Sequence, residues 1–377
     1  MKSDLNQKIG IIGGGQLGRM LIQSGIDFNI NFSALDPDAA APCAGISSFT
    51  HGKLTDYQTV VDFGKTCDLL TIEIENVNVE ALKELVRQGK KVFPQPDVIQ
   101  LIQDKRTQKE FYQKHQIPTA DFILTDSKQQ VIANRSFLPA VNKLGKEGYD
   151  GRGVQLLRTE ADLEKAFDAP GLLEKLIDFE KEIAVIVARN EAGEIISYPA
   201  VEMVFHPTAN LVEYLFSPAQ IAATVAQEAD AIAKSVIEKL NMVGLLAVEM
   251  FVTQEGKVLV NEVAPRPHNS GHQTIEANIT SQYEQHLRAI LNLPLGNTAT
   301  VLPSAMVNLL GEDGFSGEAQ YRGLEEVLRL SGTHIHLYGK KITKPFRKMG
   351  HVTIVDADLD NLRKKATFVK QTLKVIT

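Results

Sequence analysis

The sequence has 377 residues, of which 44% are apolar, and its 40 basic and 46 acidic side chains give a net charge of −6. This length predicts a core divided among two or three domains, and the charge excludes a globally basic surface for nucleic acid or anionic membranes. Two cysteines, Cys43 and Cys67, are too few for a disulfide framework and suit a reducing compartment. Since no apolar run reaches the length of a bilayer span, we expect a cytoplasmic protein that binds neither nucleic acid nor membranes.

A glycine turn follows the first predicted strand. In IGIIGGGQLGRM, residues 9–20, the glycines Gly13, Gly15 and Gly18 fit G-x-G-x-x-G and precede a helix whose free N–H groups attract a phosphate. Asp36 ends the next apolar stretch, FSALD, where a dinucleotide-binding fold places the carboxylate that holds a ribose. The pattern leaves two interpretations open: a phosphate ligand, or only a tight turn that lets helix and strand approach closely.

Short apolar runs alternate with helical patterns from residue 8 to about 105: KIGII, NFSALD, DLLTIEIEN and KKVFP. This alternation predicts a parallel sheet covered by helices. Glu73 and Glu75 end the third run, at the carboxyl edge where the ligands of such sheets gather, and we expect them to share one face of that strand. A solvated sheet edge explains the two carboxylates equally well.

The pattern changes after the parallel sheet. DKRTQKEFYQKH predicts a charged helix over residues 104–115, and residues 139–200 predict an antiparallel sheet. A long helix is predicted to begin with a capping box at Ser217 and to end at Gly244. Beyond Pro294, the runs GTHIHLYGK and GHVTIVD predict strands of a small terminal domain.

Two carboxylates are predicted to face each other in a hairpin. Residues 245–263, LLAVEMFVTQEGKVLVNEV, have the pattern of two alternating strands around the turn sequence QEG. If only the last two of these turn residues form the turn, Glu249 lies directly opposite Glu262, and like charges at that separation destabilise a sheet. A divalent cation would offset the repulsion, and Mg²⁺ prefers carboxylate oxygens. A three-residue turn that shifts the register by one, or two carboxylates directed into water, are the alternatives.

A polar segment, APRPHNSGH, continues from the second strand of the hairpin. Arg266 can fork onto a phosphate or a carboxylate. His268 and His272 have the spacing of zinc ligands on a helix, but Pro267 and Gly271 disfavour a regular helix here and no third ligand is evident. We therefore expect an anion site and no zinc.

A second glycine loop follows a predicted strand that contains Lys143. Residues 148–153, GYDGRG, lead from that strand into another one. A glycine hairpin with basic residues can cover nucleotide phosphates with its backbone N–H groups. The loop is not a Walker loop, because no G-K-[ST] is present and no helix follows.

In this order, GGGQLGRM, GYDGRG, NEVAPRPHNSGH and RKMGH resemble the ATP-grasp superfamily and, within it, the 5-(carboxyamino)imidazole ribonucleotide synthetases. That family joins bicarbonate to aminoimidazole ribonucleotide at the expense of ATP, as a homodimer. The resemblance extends from residue 9 to about residue 354. It implies an α/β ATP-grasp fold with a Rossmann-like N-terminal domain (1–105), an ATP-grasp domain (106–296, with a flap subdomain at about 118–178) and a small β-rich C-terminal domain (297–377).

The resemblance also implies roles for individual residues. Residues 174–177 would form the adenine hinge, and Glu182 would bind the ribose. The full set implied in ATP binding is Lys105, Arg106, Lys143, Gly148, Tyr149, Asp150, Gly151, Arg152, Gly153, Val154, Glu174, Lys175, Leu176, Ile177, Glu182, His206, Asn261 and Glu262. The set implied in binding the imidazole ribonucleotide is Gly15, Gln16, Leu17, Glu73, Tyr149, Asp150, Arg266, His268, Asn269, Lys340 and Arg347. Lys143, Arg266 and His268 would be catalytic, and Glu249 and Glu262 would hold Mg²⁺.

Three other functions compete with this one. A nicotinamide-dependent oxidoreductase would use the first glycine turn and Asp36, but it leaves the hairpin carboxylates and GYDGRG unexplained. Another ATP-grasp ligase would act on a different amine or on formate. A catalytically silent nucleotide-binding module would not need the acidic and basic site residues that the chain retains.

Overall fold

The computed structural model describes residues 6–146, 153–205 and 212–377. The strands are β1 (Lys8–Ile12), β2 (Asn31–Asp36), β3 (Ser48–His51), β4 (Leu69–Ile72), β5 (Lys91–Val92), β6 (Phe122–Thr125), β7 (Ala140–Leu144), β8 (Val154–Leu157), β9 (Gly171–Lys175), β10 (Phe179–Arg189), β11 (Ile195–Ser197), β12 (Val201–Phe205), β13 (Val212–Ser217), β14 (Gly244–Thr253), β15 (Val258–Ala264), β16 (Ser304–Leu310), β17 (Gly317–Glu318), β18 (Gln320–Arg322), β19 (Thr333–Leu337), β20 (Ile342–Thr343), β21 (Lys348–Val355) and β22 (Lys374–Ile376). The α-helices are α1 (Gln16–Ile26), α2 (Tyr57–Lys65), α3 (Val79–Arg87), α4 (Pro96–Ile102), α5 (Lys105–Lys114), α6 (Lys128–Ala133), α7 (Ala223–Lys239), α8 (Thr274–Ala277), α9 (Gln282–Ile290), α10 (Leu324–Leu328) and α11 (Leu359–Thr372). Within the described ranges, no helix combines the length and apolar character needed to cross a membrane.

The N-terminal part is a five-stranded parallel sheet in the order β3-β2-β1-β4-β5, as the alternating pattern predicts. Its central strands are buried on both faces, since helices cover both sides. The third predicted strand corresponds to β4, which ends at Ile72. The prediction that Glu73 and Glu75 lie within this strand is therefore wrong. Only two residues of β4 pair with β5, and the pairing of β4 with β1 ends at Ile72.

The middle of the chain contains two antiparallel sheets. The four-stranded sheet, in the order β6-β9-β7-β8, lies beside α5, and it carries Lys143 on β7 and Glu174 on β9. The nine-stranded sheet has the order β15-β14-β10-β12-β13-β16-β21-β19, with β11 paired to β10. Since β13 pairs with β16, the strands of the β-rich C-terminal domain extend the central sheet.

The long helix α7 differs from its prediction at both ends. It begins at Ala223, not at Ser217, because Ser217 is the last residue of β13 and pairs with Ser304 on β16. It ends at Lys239, and Gly244 is the first residue of β14. The backbone of Gly244 has a φ of +116°, and a Cβ there would lie 3.2 Å from the buried His286 ring. This glycine is therefore explained by a strand start against a side chain, not by a helix end.

Candidate active site

The β14–β15 hairpin brings Glu249 and Glu262 directly opposite each other. The two-residue turn that led to this prediction is wrong: Thr253 pairs with Lys257, which leaves a three-residue turn with Gly256 at a φ of +77°. This turn shifts the register by one residue. A bulge that leaves Asn261 as an extra residue on β15 shifts it back before the carboxylates are reached.

The two carboxyl groups differ in their surroundings. Lys105, the first residue of α5, makes an ion pair with Glu262 and holds the pKa of that carboxyl well below its usual range. Burial raises the pKa of Glu249, and the nearby charges of Glu262 and Glu182 raise it further. Glu182 lies on the same face of the sheet, since its neighbour Ala184 pairs with Glu249, and burial raises its own pKa to about 7. The structure thus places three carboxyl groups on one face, with a lysine compensating only one of them directly.

A second ion-pair group lies beside Glu262. Lys143 Nζ is 2.8 Å from Glu174 Oε2 and donates to Asn261 Oδ1 at 2.9 Å. Lys109, which the sequence interpretation did not single out, lies 3.1 Å from the other oxygen of Glu174. Burial disfavours the charge on Glu174, but the two lysines outweigh burial and hold the pKa of Glu174 below its usual value. Burial also lowers the pKa of Lys109 to about 8.

The donors of the carboxylate pair fit Mg²⁺. Carboxylate oxygens are hard ligands, and Mg²⁺ is held in nucleotide sites by one or two carboxylates together with substrate phosphates. In the ranges that the structure describes, no group of three or more His, Cys, Asp or Glu residues could hold a metal on its own. Glu249 and Glu262 would therefore hold the ion together with a ligand that brings further oxygens.

Two carboxylates accept hydrogen bonds from backbone N–H groups of the first glycine turn. Glu73 accepts a hydrogen bond from Gly18 N–H at 3.0 Å, and Asp36 accepts one from Gly14 N–H at 2.7 Å. A Cβ at Gly15 would lie 2.5 Å from Glu73 Oε1, so a larger residue there would displace this carboxyl group from its present position. Because Asp36 and Glu73 occupy these N–H groups, the turn does not offer them to the pyrophosphate of a dinucleotide. Burial raises the pKa of Glu73 to about 7.

Arg266 is held by a residue that the sequence interpretation left without a role. Its Nε lies 2.9 Å from Glu75 Oε1 and its Nη2 donates to Glu75 Oε2 at 3.2 Å. This is the forked geometry predicted for an anion, with a protein carboxylate as the partner. The pair joins the carboxyl edge of the parallel sheet to the segment that follows β15. The sequence feature that could have identified Glu75 was its position close to Glu73 at that edge.

His268 and Asn269 follow in the same segment. His268 Nδ1 shares a hydrogen bond with Ser270 Oγ at 2.9 Å, and its Nε2 lies 3.6 Å from Glu249 Oε1. Burial and the Arg266 charge lower the pKa of His268 to about 3, so the ring is neutral. The side-chain amides of Asn269 and Asn308 bond to each other in both directions at 2.9 Å, which ties this segment to β16.

The C-terminal basic residues lie beyond the glycine turn. Lys340 Nζ donates to the Lys348 carbonyl at 2.8 Å, and its charge lowers the pKa of Glu73 against the dominant effect of burial. Arg347 donates to the Ile342 carbonyl at 2.7 Å, within its own loop. Lys348, the neighbour of Arg347, was missed: its charge acts on Glu249. The motif RKMGH thus contributes a further basic residue near the carboxylate pair, next to the predicted Arg347, whose role stays a prediction.

The other predicted residues lie around these groups. Gln16 and Leu17 begin α1, and Gly153 and Val154 lead into β8, where Val154 pairs with Lys143. Lys175 points to the Phe137 carbonyl at 3.1 Å, and Leu176 N–H donates to the Pro139 carbonyl at 3.2 Å, one residue before Ile177. Arg106 pairs with Asp126 at 3.0 Å, away from Glu262. The predicted residues that lie outside the described ranges are Gly148, Tyr149, Asp150, Gly151, Arg152 and His206.

Comparisons with known proteins agree with this arrangement along the chain. Residues 6–103 match a family described as the ribonucleotide synthetase preATP-grasp domain, residues 110–283 match the ATP-grasp domain, and residues 304–365 match the phosphoribosylaminoimidazole carboxylase C-terminal domain. The chain is 38% identical to the N5-carboxyaminoimidazole ribonucleotide synthase of Synechococcus elongatus, over 92% of this chain and 89% of that protein. It spans about two thirds of the length of the yeast phosphoribosylaminoimidazole carboxylases that it also matches.

Solved structures are similar over nearly the whole chain. The crystal structure of N5-carboxyaminoimidazole ribonucleotide synthetase from Thermotoga maritima has a TM-score of 0.91 and 43% identity, and covers 98% of this chain and 99% of that one. The enzyme from Aspergillus clavatus in complex with ADP and 5-aminoimidazole ribonucleotide has a TM-score of 0.88 and 32% identity, over 97% of this chain and 98% of that one. The chain therefore belongs to the N5-carboxyaminoimidazole ribonucleotide synthetase family of ATP-grasp ligases.

Proposed function

We propose that this protein uses ATP to carboxylate 5-aminoimidazole ribonucleotide with bicarbonate, giving N5-carboxyaminoimidazole ribonucleotide, ADP and phosphate in purine biosynthesis. The observation that carries the proposal is the facing pair Glu249 and Glu262, with Lys105 bound to one member and Lys143 bound beside it through Asn261. Two carboxylates and two ammonium groups on one surface suit a metal-bound triphosphate.

In this proposal ATP lies between the nine-stranded and four-stranded sheets. Lys105 and Lys143 would turn from their carboxylate partners to the phosphates, Glu182 would bind the ribose hydroxyls, and residues 174–177 would contact adenine. Glu249 and Glu262 would hold Mg²⁺, which supplies charge neutralisation of the transferring phosphoryl group. The remaining residues of the implied ATP set, including those of the glycine flap, stay predictions.

The imidazole ribonucleotide would lie across the glycine turn, beside Glu73 and the segment from Arg266 to Asn269. Arg266 is oriented by Glu75 at 2.9 Å, and in this proposal its remaining N–H groups bind a carboxyl or phosphoryl group near the turn. Lys340 and Arg347 would reach the ribonucleotide phosphate from the C-terminal strands. A His268 pKa of about 3 makes that ring a poor base, which suits a hydrogen-bonding role over net proton removal.

The chemistry would proceed in two steps. A bicarbonate oxygen forms a bond to the γ-phosphorus of ATP as the bond to the β–γ bridging oxygen breaks, which releases ADP and leaves carboxyphosphate. The exocyclic amine of the ribonucleotide then bonds to the carboxyl carbon, or to the CO₂ released from it, and loses a proton. Phosphate leaves with the oxygen that came from bicarbonate. Exclusion of water protects the intermediate.

The test is ATP turnover with and without aminoimidazole ribonucleotide and bicarbonate, using ¹⁸O-labelled bicarbonate. We expect ADP formation to depend on both co-substrates and one labelled oxygen to appear in each phosphate. Unlabelled phosphate would remove carboxyphosphate from the proposal. Turnover with a different amine, or with formate in place of bicarbonate, would instead identify another ATP-grasp ligase.

Three broader expectations accompany this function. The homodimer implied by the family stays a prediction, and light scattering of the purified protein tests it. The two cysteines are free and buried, which is consistent with the predicted cytoplasmic location. The domain boundaries at residues 105 and 296 also stay predictions, and limited proteolysis would locate them.

A further inference from the structure

Lys109 has no role in the function proposed above. It follows Lys105 by one turn of α5, so the two side chains leave the same side of the helix. Lys109 is only 3% exposed and its carboxylate partner Glu174 only 2%. Lys109 also donates to the hydroxyl of Thr119, which bonds to the Val260 carbonyl at 2.7 Å. The Lys109 ammonium group is held between Glu174 and Thr119 inside the protein, so we expect any effect of Lys109 on ATP to pass through a neighbour.

That neighbour is Lys143, because the two lysines share Glu174. Lys109 lies 3.1 Å from one carboxylate oxygen and Lys143 lies 2.8 Å from the other. A buried carboxylate with a single cationic partner holds that partner strongly, since separation would leave an uncompensated buried charge. A second ammonium group removes this penalty. With Lys109 in place, Lys143 can leave Glu174 without leaving a bare buried anion.

The charge of the whole group supports the same conclusion. Lys105, Lys109 and Lys143 surround a cavity of about 10 Å³ together with Glu174 and Glu262. This volume holds about one water molecule and no phosphate, so Lys143 must turn outward to meet a nucleotide. Three ammonium groups against two carboxylates leave one net positive charge for that purpose, and without Lys109 the group would be neutral.

We propose that Lys109 is a positioning residue for ATP binding, which compensates the charge of Glu174 so that Lys143 is free to turn to the nucleotide phosphates. The inference rests on the proposed function, in which Lys143 holds those phosphates. Lys109 itself touches no substrate.

A double-mutant cycle tests the proposal with Lys109→Met, Glu174→Gln and the two combined. We expect Lys109→Met to raise the KM for ATP by about ten- to a hundredfold, the loss of one charge-assisted bond, with a smaller change in kcat. Adding Glu174→Gln should remove most of this effect, because the anion that retains Lys143 is gone: the KM of the combined variant should lie within about threefold of that of Glu174→Gln alone. A merely structural role for Lys109 predicts no such rescue, since the second change removes a further buried interaction.

Lys114→Met is the matched control, because Lys114 is an exposed residue at the end of the same helix; its KM should be unchanged. An unchanged KM in Lys109→Met, or a rise in KM on Lys109→Met that is as large in the Glu174→Gln background as in the wild type, overturns the proposal. If Lys109→Met does not fold, Lys109→Gln, which keeps a polar side chain without the charge, replaces it in the same cycle and is judged by the same two outcomes.

Binding of the non-hydrolysable analogue AMP-PNP with Mg²⁺, measured by calorimetry on the same variants, separates this inference from the proposed function. Its dissociation constants should follow the pattern expected for KM. A wild type that binds the analogue but does not turn over ATP with bicarbonate and aminoimidazole ribonucleotide would refute the function and leave the Lys109 test intact.

Discussion

Glu249 faces Glu262 across the β14–β15 hairpin because Asn261 is inserted between the two halves of the ladder as a bulge. In an unbroken ladder with the observed turn, Asn261 would face Glu249, and Glu262 would face Val248 on the other side of the sheet. The bulge returns the second carboxylate to the face of the first and leaves Asn261 beside Lys143. A local irregularity thus assembles both the carboxylate pair proposed to hold Mg²⁺ and its link to the lysine proposed to bind the phosphates.

We expect Glu262→Gln to lower ATP turnover by more than about a hundredfold while the protein still folds. The change removes a metal-binding charge, which costs more than loss of an outer-shell partner, and it relieves the repulsion of Glu249. ATP turnover across a Mg²⁺ titration and the unfolding midpoint are the two measurements. Glu255→Gln, an exposed residue in the turn of the same hairpin, is the matched control. Turnover retained at saturating Mg²⁺ would contradict the metal assignment.

Gly15→Ala should destabilise the protein by about 1 kcal/mol, because the new methyl group lies 2.5 Å from Glu73 Oε1 and the displaced carboxyl group loses its hydrogen bond from Gly18 N–H. Gly45→Ala is the control, since a Cβ there meets nothing within 4 Å, and its effect should stay within about 0.5 kcal/mol. Chemical denaturation of both variants measures the difference. In a Glu73→Ala background the cost of Gly15→Ala should fall; an unchanged cost would show that the carboxylate is not the obstacle.

Glu73 should make stability depend on pH. Its pKa rises from 4.5 to about 7 on folding, so the folded state binds this proton more tightly than the unfolded chain. Stability contributed by the group is then fully present below pH 4.5 and decreases as the pH rises to about 7. Relative to Glu73→Gln, which cannot titrate, the wild type should lose unfolding free energy across this window. Urea denaturation at several pH values measures it, and a difference that does not vary with pH would refute the assignment.

Arg266→Lys should lower kcat/KM for aminoimidazole ribonucleotide by about ten- to a hundredfold. Lysine keeps the charge but cannot reproduce the fork that Glu75 orients, and loss of a charged hydrogen bond has this magnitude. Steady-state kinetics give the ratio. Arg288→Lys, which alters an ion pair with Glu284 on helix α9, serves as the control and should be silent. Equal effects of the two substitutions would indicate a general loss of stability.

The parts of the fold that follow from local periodicity could be predicted. The apolar runs KIGII and NFSALD became β1 and β2 with the predicted bounds, and the charged helix and the hairpin formed where the pattern placed them. These signals are local because buried and exposed side chains alternate along the sequence with the period of the helix or strand that contains them. The facing of Glu249 and Glu262 was correct although its turn was wrong, since the turn and the bulge displace the register in opposite directions.

The rest depends on partners that are distant in sequence. The hydroxyl of Ser217 could cap the N-terminus of a helix, but the pairing of Ser217 with Ser304 keeps this residue in a strand. Glu75 and Arg266 are separated by 191 residues, and nothing near Glu75 in the sequence indicates its partner. Lys109 resembles the other charges of its helix until the four-stranded sheet places Glu174 against it. Tertiary contacts of this kind override local preference.

The pairing of β13 with β16 means that the C-terminal part of the chain completes the central sheet. A protein shortened after residue 296 would present the outer side of β13 as an open row of unpaired N–H and C=O groups, a template for strand addition by another molecule. Such a fragment is expected to aggregate, even though Glu249, Glu262 and the lysines proposed to bind the nucleotide phosphates would still be present.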